Sequence, residues 1–306
     1  MKALARLTVL VVLCGAFASA SSQVRVDQTP VLSVATDLVM LPVSVTDRHG
    51  RFVAGLLAKD FTVYDNGQPQ SIEFFMNEEI PATIGVLIDS SASMRGRRDD
   101  VTAAGASFAA MSHPLDEFFT LNFNEAVWPG LSAGVEFTSD GDQLRAALAA
   151  APARGMTALY DAIDRGLDHL QRGTRDRRAL VVVSDGGDNA SAHTLDSVLD
   201  HARRSSAAIY SVTLVDPDAH ESNPGVLTRL ARETGGLAFR PGRQPDVMDA
   251  FARVAREIRS GYSLGFSPAT TREGGFRRLH VTVKSPDNRL LVVRTRAGYY
   301  ARASDR

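Results

Sequence analysis

A run of apolar residues, Ile84-Gly85-Val86-Leu87-Ile88, that ends directly in Asp89-Ser90-Ser91-Ala92-Ser93 constrains this chain more than any other segment. A short continuous apolar run bounded by a polar loop is the pattern of a strand buried on both faces. A second such run, Ala179-Leu180-Val181-Val182-Val183-Ser184, ends in Asp185-Gly186-Gly187-Asp188-Asn189. Between them, Gly155-Met156-Thr157-Ala158-Leu159-Tyr160-Asp161-Ala162 reads as a turn that opens a helix, with a threonine at its start. Two strand ends and one helix start thus present two carboxylates and three hydroxyls.

Around these segments the pattern alternates strand and helix from Pro81 to about residue 260. Strands are expected at 82–89, 118–123, 180–184, 209–215 and 237–239. Helices are expected at 99–112, 142–150, 158–170, 195–205, 224–234 and 247–259. Such alternation implies a doubly wound, mostly parallel sheet covered on both faces, whose ligands bind beyond the carboxyl ends of the strands. The flanks read differently. Val39, Leu41, Val43 and Val45 alternate with Met40, Pro42, Ser44 and Thr46, and Asp47-Arg48-His49-Gly50 is a turn signal. Phe61, Val63 and Tyr64 precede Asp65-Asn66-Gly67, a hairpin signal that places the return strand at 71–75. After Gly261, strands are expected at 262–266, 279–283 and 290–295, with Pro286-Asp287-Asn288 as the turn between the last two. The expected organisation is a leader at 1–20, a β segment at 21–79, the α/β domain at 80–260, a β segment at 261–301 and a tail at 302–306. The two β segments pair into one small sandwich, with the α/β domain inserted between them.

The leader has Lys2 and Arg6, an apolar run from Leu7 to Phe17 and the small-x-small pattern Ala18-Ser19-Ala20. This is the plan of a secretory signal peptide, and its apolar core is shorter than the roughly 20 residues that span a bilayer. An uncleaved anchor is the alternative; a lipoprotein is disfavoured because Leu13 precedes Cys14. Cys14 is the chain's single cysteine, so the mature chain has no disulfide, thiolate site or cysteine nucleophile. The expected location is periplasmic, cell-surface or secreted, with no transmembrane span in the mature chain. With a formal net charge of −1 and no basic block, nothing points to nucleic acid.

Hydroxyls and carboxylates are hard oxygen donors, suited to Mg²⁺ first, and to Mn²⁺ or Ca²⁺. In Asp89-x-Ser91-x-Ser93 an extended start points alternate residues to one side. Two aspartates just neutralise a divalent ion, and five protein groups leave at least one of about six octahedral positions open. A carboxylate from outside fits that position. Taken singly, these residues read equally well as helix caps and loop formers; their combination in these contexts argues for the site. Asp161, Asp188 and Asn189 stand either as partners that orient the ligands or as plain turn residues. Arg95-Gly96-Arg97-Arg98 reads as a solvated loop, with steering of an acidic partner as the alternative. Arg175 to Arg178 reads as a solvated turn. Trp128 in Val127-Trp128-Pro129-Gly130 is either a packed loop residue or an exposed anchor. The seven histidines show no metal spacing.

At these residues the chain resembles a von Willebrand factor type A domain with a metal-ion-dependent adhesion site. That family's Asp-x-Ser-x-Ser, threonine and late aspartate map onto Asp89, Ser91, Ser93, Thr157 and Asp185. The flanks resemble those of an exported VWFA-related group found widely in Acidobacteria, through Val45-Thr46-Asp47-Arg48-His49-Gly50, Asp60 to Gly67 and Tyr262 to Phe266. The resemblance implies a non-enzymatic module that holds a divalent cation and captures an Asp or Glu of a protein partner. Two other functions compete. A phosphatase-type hydrolase begins with an aspartate at a strand end, but it wants a second carboxylate where Ser91 stands. The chain has no Gly-x-Ser-x-Gly elbow, phosphate-cradling Gly-x-x-x-x-Gly-Lys loop or His-Glu-x-x-His helix. A structural protein with a purely stabilising ion is the third reading.

Overall fold

A computed structural model describes residues 38–149, 153–215, 222–268, 275–285 and 289–301. The expected leader, the 286–288 turn and the 302–306 tail lie outside the described residues. In chain order the elements begin with β1 (Val39–Asp47), β2 (Phe61–Asp65), β3 (Gln68–Gln70), β4 (Phe74–Met76) and β5 (Ala82–Asp89). Then come α1 (Arg98–Met111), β6 (Glu117–Phe123), β7 (Val127–Pro129), α2 (Gly141–Ala149), α3 (Leu159–Leu170) and β8 (Arg177–Ser184). These are followed by α4 (Leu195–Arg204), β9 (Ala208–Thr213), α5 (Pro224–Thr234), β10 (Ala238–Phe239) and α6 (Gln244–Arg259). The chain ends in β11 (Tyr262–Phe266), β12 (Gly275–Val283), β13 (Leu291–Arg294) and β14 (Gly298–Ala301).

The central sheet has the order β10-β9-β8-β5-β6-β7, with every pair parallel except β6–β7. Every residue of β5 is buried, as its continuous apolar run requires. Ile84, Val86 and Ile88 pack with α1 and α6, while Leu87 packs with α3, α4 and α5 on the opposite face. Gly85 leaves room for Phe119 and Leu180; a Cβ there would lie 2.3 Å from the Phe119 ring. The chain leaves β5 for β6 on one side and returns to β8 on the other, so the strand order reverses beside β5. In a sheet of this kind that reversal opens a crevice at the carboxyl ends of the strands.

The flanking segments form two antiparallel sheets, β13-β1-β11-β4 and β14-β12-β2-β3. Both bury their inner residues in one cluster: Leu41, Val43 and Leu264 from the first sheet, Val63, Val281 and Tyr299 from the second. That is the expected sandwich. Two residues singled out in the flanks hold it. Asp65, fully buried, accepts the Arg277 Nε–H at 2.8 Å and the Tyr299 hydroxyl at 2.9 Å. The Tyr262 hydroxyl donates to the Val53 carbonyl at 2.8 Å and accepts the Leu56 N–H at 3.1 Å.

Several expectations are corrected. The return strand of the Asn-Gly hairpin is Gln68–Gln70, not 71–75. Asn66 (φ 48°) and Gly67 (φ 81°) close the turn in two residues, so pairing resumes at once. Phe74–Met76 instead pairs with β11 in the other sheet. Trp128 lies on a short edge strand, β7, opposite Asn122. Arg177 and Arg178 belong to β8 and are not a solvated turn; the Arg177 guanidinium donates to the carbonyls of Ile258 and Arg259 at 2.7 and 3.0 Å. Residues 298–301 form a further strand, β14, paired with β12.

Candidate functional site

Asp89 closes β5, and the Ser90 N–H still reaches the Phe123 carbonyl of β6 at 2.7 Å. The chain then turns because the Asp89 Oδ1 accepts the Ser91 N–H at 2.9 Å, an aspartate folding its own backbone over itself. Ser91 enters a 3-10 turn over Ala92–Arg97, which brings the Ser91 and Ser93 hydroxyls to 3.1 Å from each other. These three residues form one short arc, as the sequence spacing predicts.

The threonine loop is laid beside that arc by main-chain bonds. Ala92 N–H donates to the Gly155 carbonyl at 3.1 Å, and Arg154 N–H to the Ser90 carbonyl at 2.8 Å. Gly155 has φ +81°, a conformation that favours glycine, and the Glu125 carboxylate packs into the space a Cβ would take. Thr157 precedes the N-cap of α3, which is Ala158. The Asn189 side-chain oxygen accepts the Thr157 N–H at 2.8 Å, and the Asn189 and Ala190 N–H groups donate to the Thr157 carbonyl at 3.0 Å. The third loop follows β8. Asp185 Oδ1 accepts the Gly187 N–H at 2.9 Å. Gly186, at φ +84°, lies against the Asn223 carbonyl, where a Cβ would stand 2.4 Å away.

Sequence reasoning missed Ser184. Its hydroxyl donates to Asp89 Oδ2 at 2.6 Å and accepts the Gly186 N–H at 3.0 Å, a direct link between the ends of β8 and β5. The available signal was a hydroxyl closing a run of valines, where an apolar residue would serve packing alone. Asp188 and Asn189 prove to hold backbone. Asp188 accepts the Tyr160 N–H at 3.2 Å, closing the first turn of α3 from the neighbouring loop. Asp161 accepts the N–H groups of Ala192 and His193 and the His193 imidazole. Within the basic run, Arg97 donates to the Val215 carbonyl at 3.1 Å, so the segment is anchored and is not a free loop.

Asp89 is 1%, Ser91 2%, Asp185 3% and Thr157 6% exposed, and Ser93 is half-buried. Burial pushes the Asp89 carboxyl up to about 6; the hydrogen bonds from Ser184 and Ser91 oppose this, and the Asp185 charge adds to it. Among the described residues, no basic side chain bonds to or pairs with either aspartate. Nor do three or more His, Cys, Asp or Glu side chains converge as a metal cluster. The donor set is all oxygen, two carboxylates with hydroxyls, which in chemistry suits a hard divalent ion and excludes a thiolate or imidazole site.

No family model matches the chain, and no curated protein matches it. Among solved structures the chain is similar to a von Willebrand factor type A protein from Catenulispora acidiphila, at 11% identity and TM-score 0.49, over 88% of this chain and 74% of that one. It is similar to the vWF domain of the type V pili tip protein Mfa5 from Porphyromonas gingivalis, at 12% identity and TM-score 0.49, over 59% and 95%. A third is the conserved hypothetical protein BatB from Bacteroides thetaiotaomicron, at 14% identity and TM-score 0.47, over 58% and 98%. The doubly wound architecture stands on the strand order described above, independently of that likeness.

Proposed function

We propose that the α/β part is a von Willebrand factor type A module whose rim binds a divalent cation, Mg²⁺ first, through Asp89, Ser91, Ser93, Thr157 and Asp185. One observation carries the reading. Two buried carboxylates at the ends of β5 and β8 are met by hydroxyls and backbone amides, and among the described residues no cationic side chain is bonded to either. Buried like charges are costly unless something positive joins them. The ion, when bound, supplies an electrophilic coordination position for an incoming carboxylate. The chain's own residues do the rest: Ser184 and Ser91 orient Asp89, and Asn189 clamps the threonine loop. The occupant is an Asp or Glu side chain of a protein partner, and the module binds without catalysing. The leader pattern assigns it to the exported fraction; among the described residues no helix is long and apolar enough to cross a membrane.

The test is calorimetric titration of the full chain with MgCl₂ and MnCl₂, followed by partner capture from the native exported fraction with and without EDTA. Saturable binding of one ion, lost in Asp89→Ala, together with capture that EDTA abolishes, is the expected result. Capture that ignores both EDTA and Asp89→Ala overturns the adhesive reading. Hydrolysis of a generic phosphate ester that disappears in Asp89→Ala would replace it with the hydrolase.

A further inference from the structure

A cavity of about 500 Å³ lies between the C-terminal end of α5 with β10 on one side and β12, β13 and the 295–297 segment on the other. Its size is that of a small-molecule site. Arg232, His280, Arg294 and Arg296 line it, and among the described residues no aspartate or glutamate does. Two of the arginines have partners elsewhere: Arg294 pairs with Glu257 at 2.6 Å, and Arg232 approaches Glu233 at 3.8 Å. Arg296 is different. Its Nε–H is shielded from solvent and has no hydrogen-bond acceptor among the described residues. The guanidinium stands over the Tyr299 ring, 5.8 Å from its centroid, and among the described residues no carboxylate pairs with it. Burial pulls its pKa down to about 10.

Arg296 is half-buried, and a shielded guanidinium N–H without an acceptor is costly, since buried polar groups are ordinarily paired. The C-terminal end of α5 lends partial negative charge to the cavity wall. Two of its last-turn carbonyls are engaged, Ala231 accepting the Gly236 N–H at 2.9 Å and Glu233 the Ala297 N–H at 3.0 Å. Among the described residues neither they nor any other group accepts the Arg296 Nε–H. We propose that this cavity binds a small oxyanion, a phosphate or carboxylate group, with Arg296 as its counter-ion and the more exposed Arg232 adding positive field around it. An arginine fork matches both groups by paired N–H···O bonds. Because the walls come from α5 and from the sandwich, the bound anion also ties these layers together.

The experiment uses the full chain in chloride buffer, titrated calorimetrically with sodium phosphate and, separately, with succinate. Sodium chloride of matched ionic strength is the control, and thermal melts are run in parallel. Saturable binding of either anion with a rise in Tm is expected, and the anion that binds assigns the group. Affinity falls at least about tenfold in Arg296→Met, the loss of a charge-assisted bond, and about threefold in Arg232→Gln. Arg232 is 74% exposed, so its replacement leaves the fold intact even if Arg296→Met does not fold, and its weakening then decides. Asp89→Ala leaves anion binding unchanged, which separates this site from the rim. Absence of saturable binding by both anions, or equal affinity in wild type and Arg232→Gln, overturns the proposal.

Discussion

Asp65 and Asp89 are both buried aspartates at strand ends, and the difference between them lies in their partners. Asp65 holds a guanidinium and a phenol, whereas Asp89 is met by a hydroxyl and an amide. The first is a closed structural network; the second leaves its charge uncompensated. Removing Asp65 strands Arg277, whose side chain is 15% exposed, and the Tyr299 hydroxyl. Breaking a buried pair in this way costs about 3–5 kcal/mol. Asp65→Ala is therefore expected to lower the unfolding free energy in urea by that amount. Asp65→Asn loses less, since its amide oxygen still accepts the Tyr299 hydroxyl. A loss below about 1 kcal/mol for Asp65→Ala would show that the network is dispensable.

At the level of elements, α3 and the loop before α4 are joined by a ladder of alternating acids and imidazoles. His193 Nδ1 meets Asp161 at 2.8 Å and its Nε2 lies 3.7 Å from Asp164, while His201 Nδ1 meets Asp164 at 2.7 Å. The Asp161 hydrogen bond, followed by the Asp164 charge, raises the His193 pKa above 6.5. A raised folded pKa means that stabilisation is full below the unfolded value of about 6.5 and is lost as pH rises through the folded one. NMR titration of the ring protons is expected to place His193 above 6.5 in the wild type and to return it toward 6.5 in Asp161→Asn. An unchanged midpoint would remove Asp161 as the cause. This ladder was not legible in the sequence, because His193 and Asp161 meet only after two elements pack. The same holds for Ser184. By contrast, β5, β8 and the arc from Asp89 to Ser93 were legible, since a continuous apolar run ending in a turn-forming aspartate specifies its local structure without tertiary help. The misread return strand at 71–75 shows the complementary failure. Its apolar residues were real, but Phe74–Met76 serves the opposite sheet, and periodicity does not say which sheet a strand joins.

For the whole molecule, each sheet of the sandwich mixes strands from both ends of the chain: β1 pairs with β11 and β13, and β2 with β12. Neither flank can close its core alone, so the sandwich forms only when the ends of the α/β part come together. The cost of closing so long a loop grows only slowly with its length. Polar ties add to the contacts between the two parts, such as Arg203 over the Phe276 ring and Arg204 over the Tyr300 ring. Arg294 donates to Glu257 of α6 at 2.6 Å and to Ser44 of β1 at 2.8 Å, and Ser44 donates to Glu257 at 2.9 Å. The Tyr300 hydroxyl reaches Asp200 of α4, and the Ala297 N–H donates to the Glu233 carbonyl of α5 at 3.0 Å. The Arg294 and Glu257 side chains are 19% and 12% exposed, so removing the acid, which ties α6 to β1 and β13, costs about 3–5 kcal/mol. Wild type is therefore expected to melt in one calorimetric transition, and Glu257→Ala in two. A cation at one hundred times its dissociation constant adds about 2.7 kcal/mol to whatever unfolds with its site. In wild type Mg²⁺ should shift the whole melting curve; in Glu257→Ala it should move only the α/β transition and leave that of the sandwich in place. A single transition in Glu257→Ala, moved as a whole by Mg²⁺, would show that the two parts are coupled by something other than this tie.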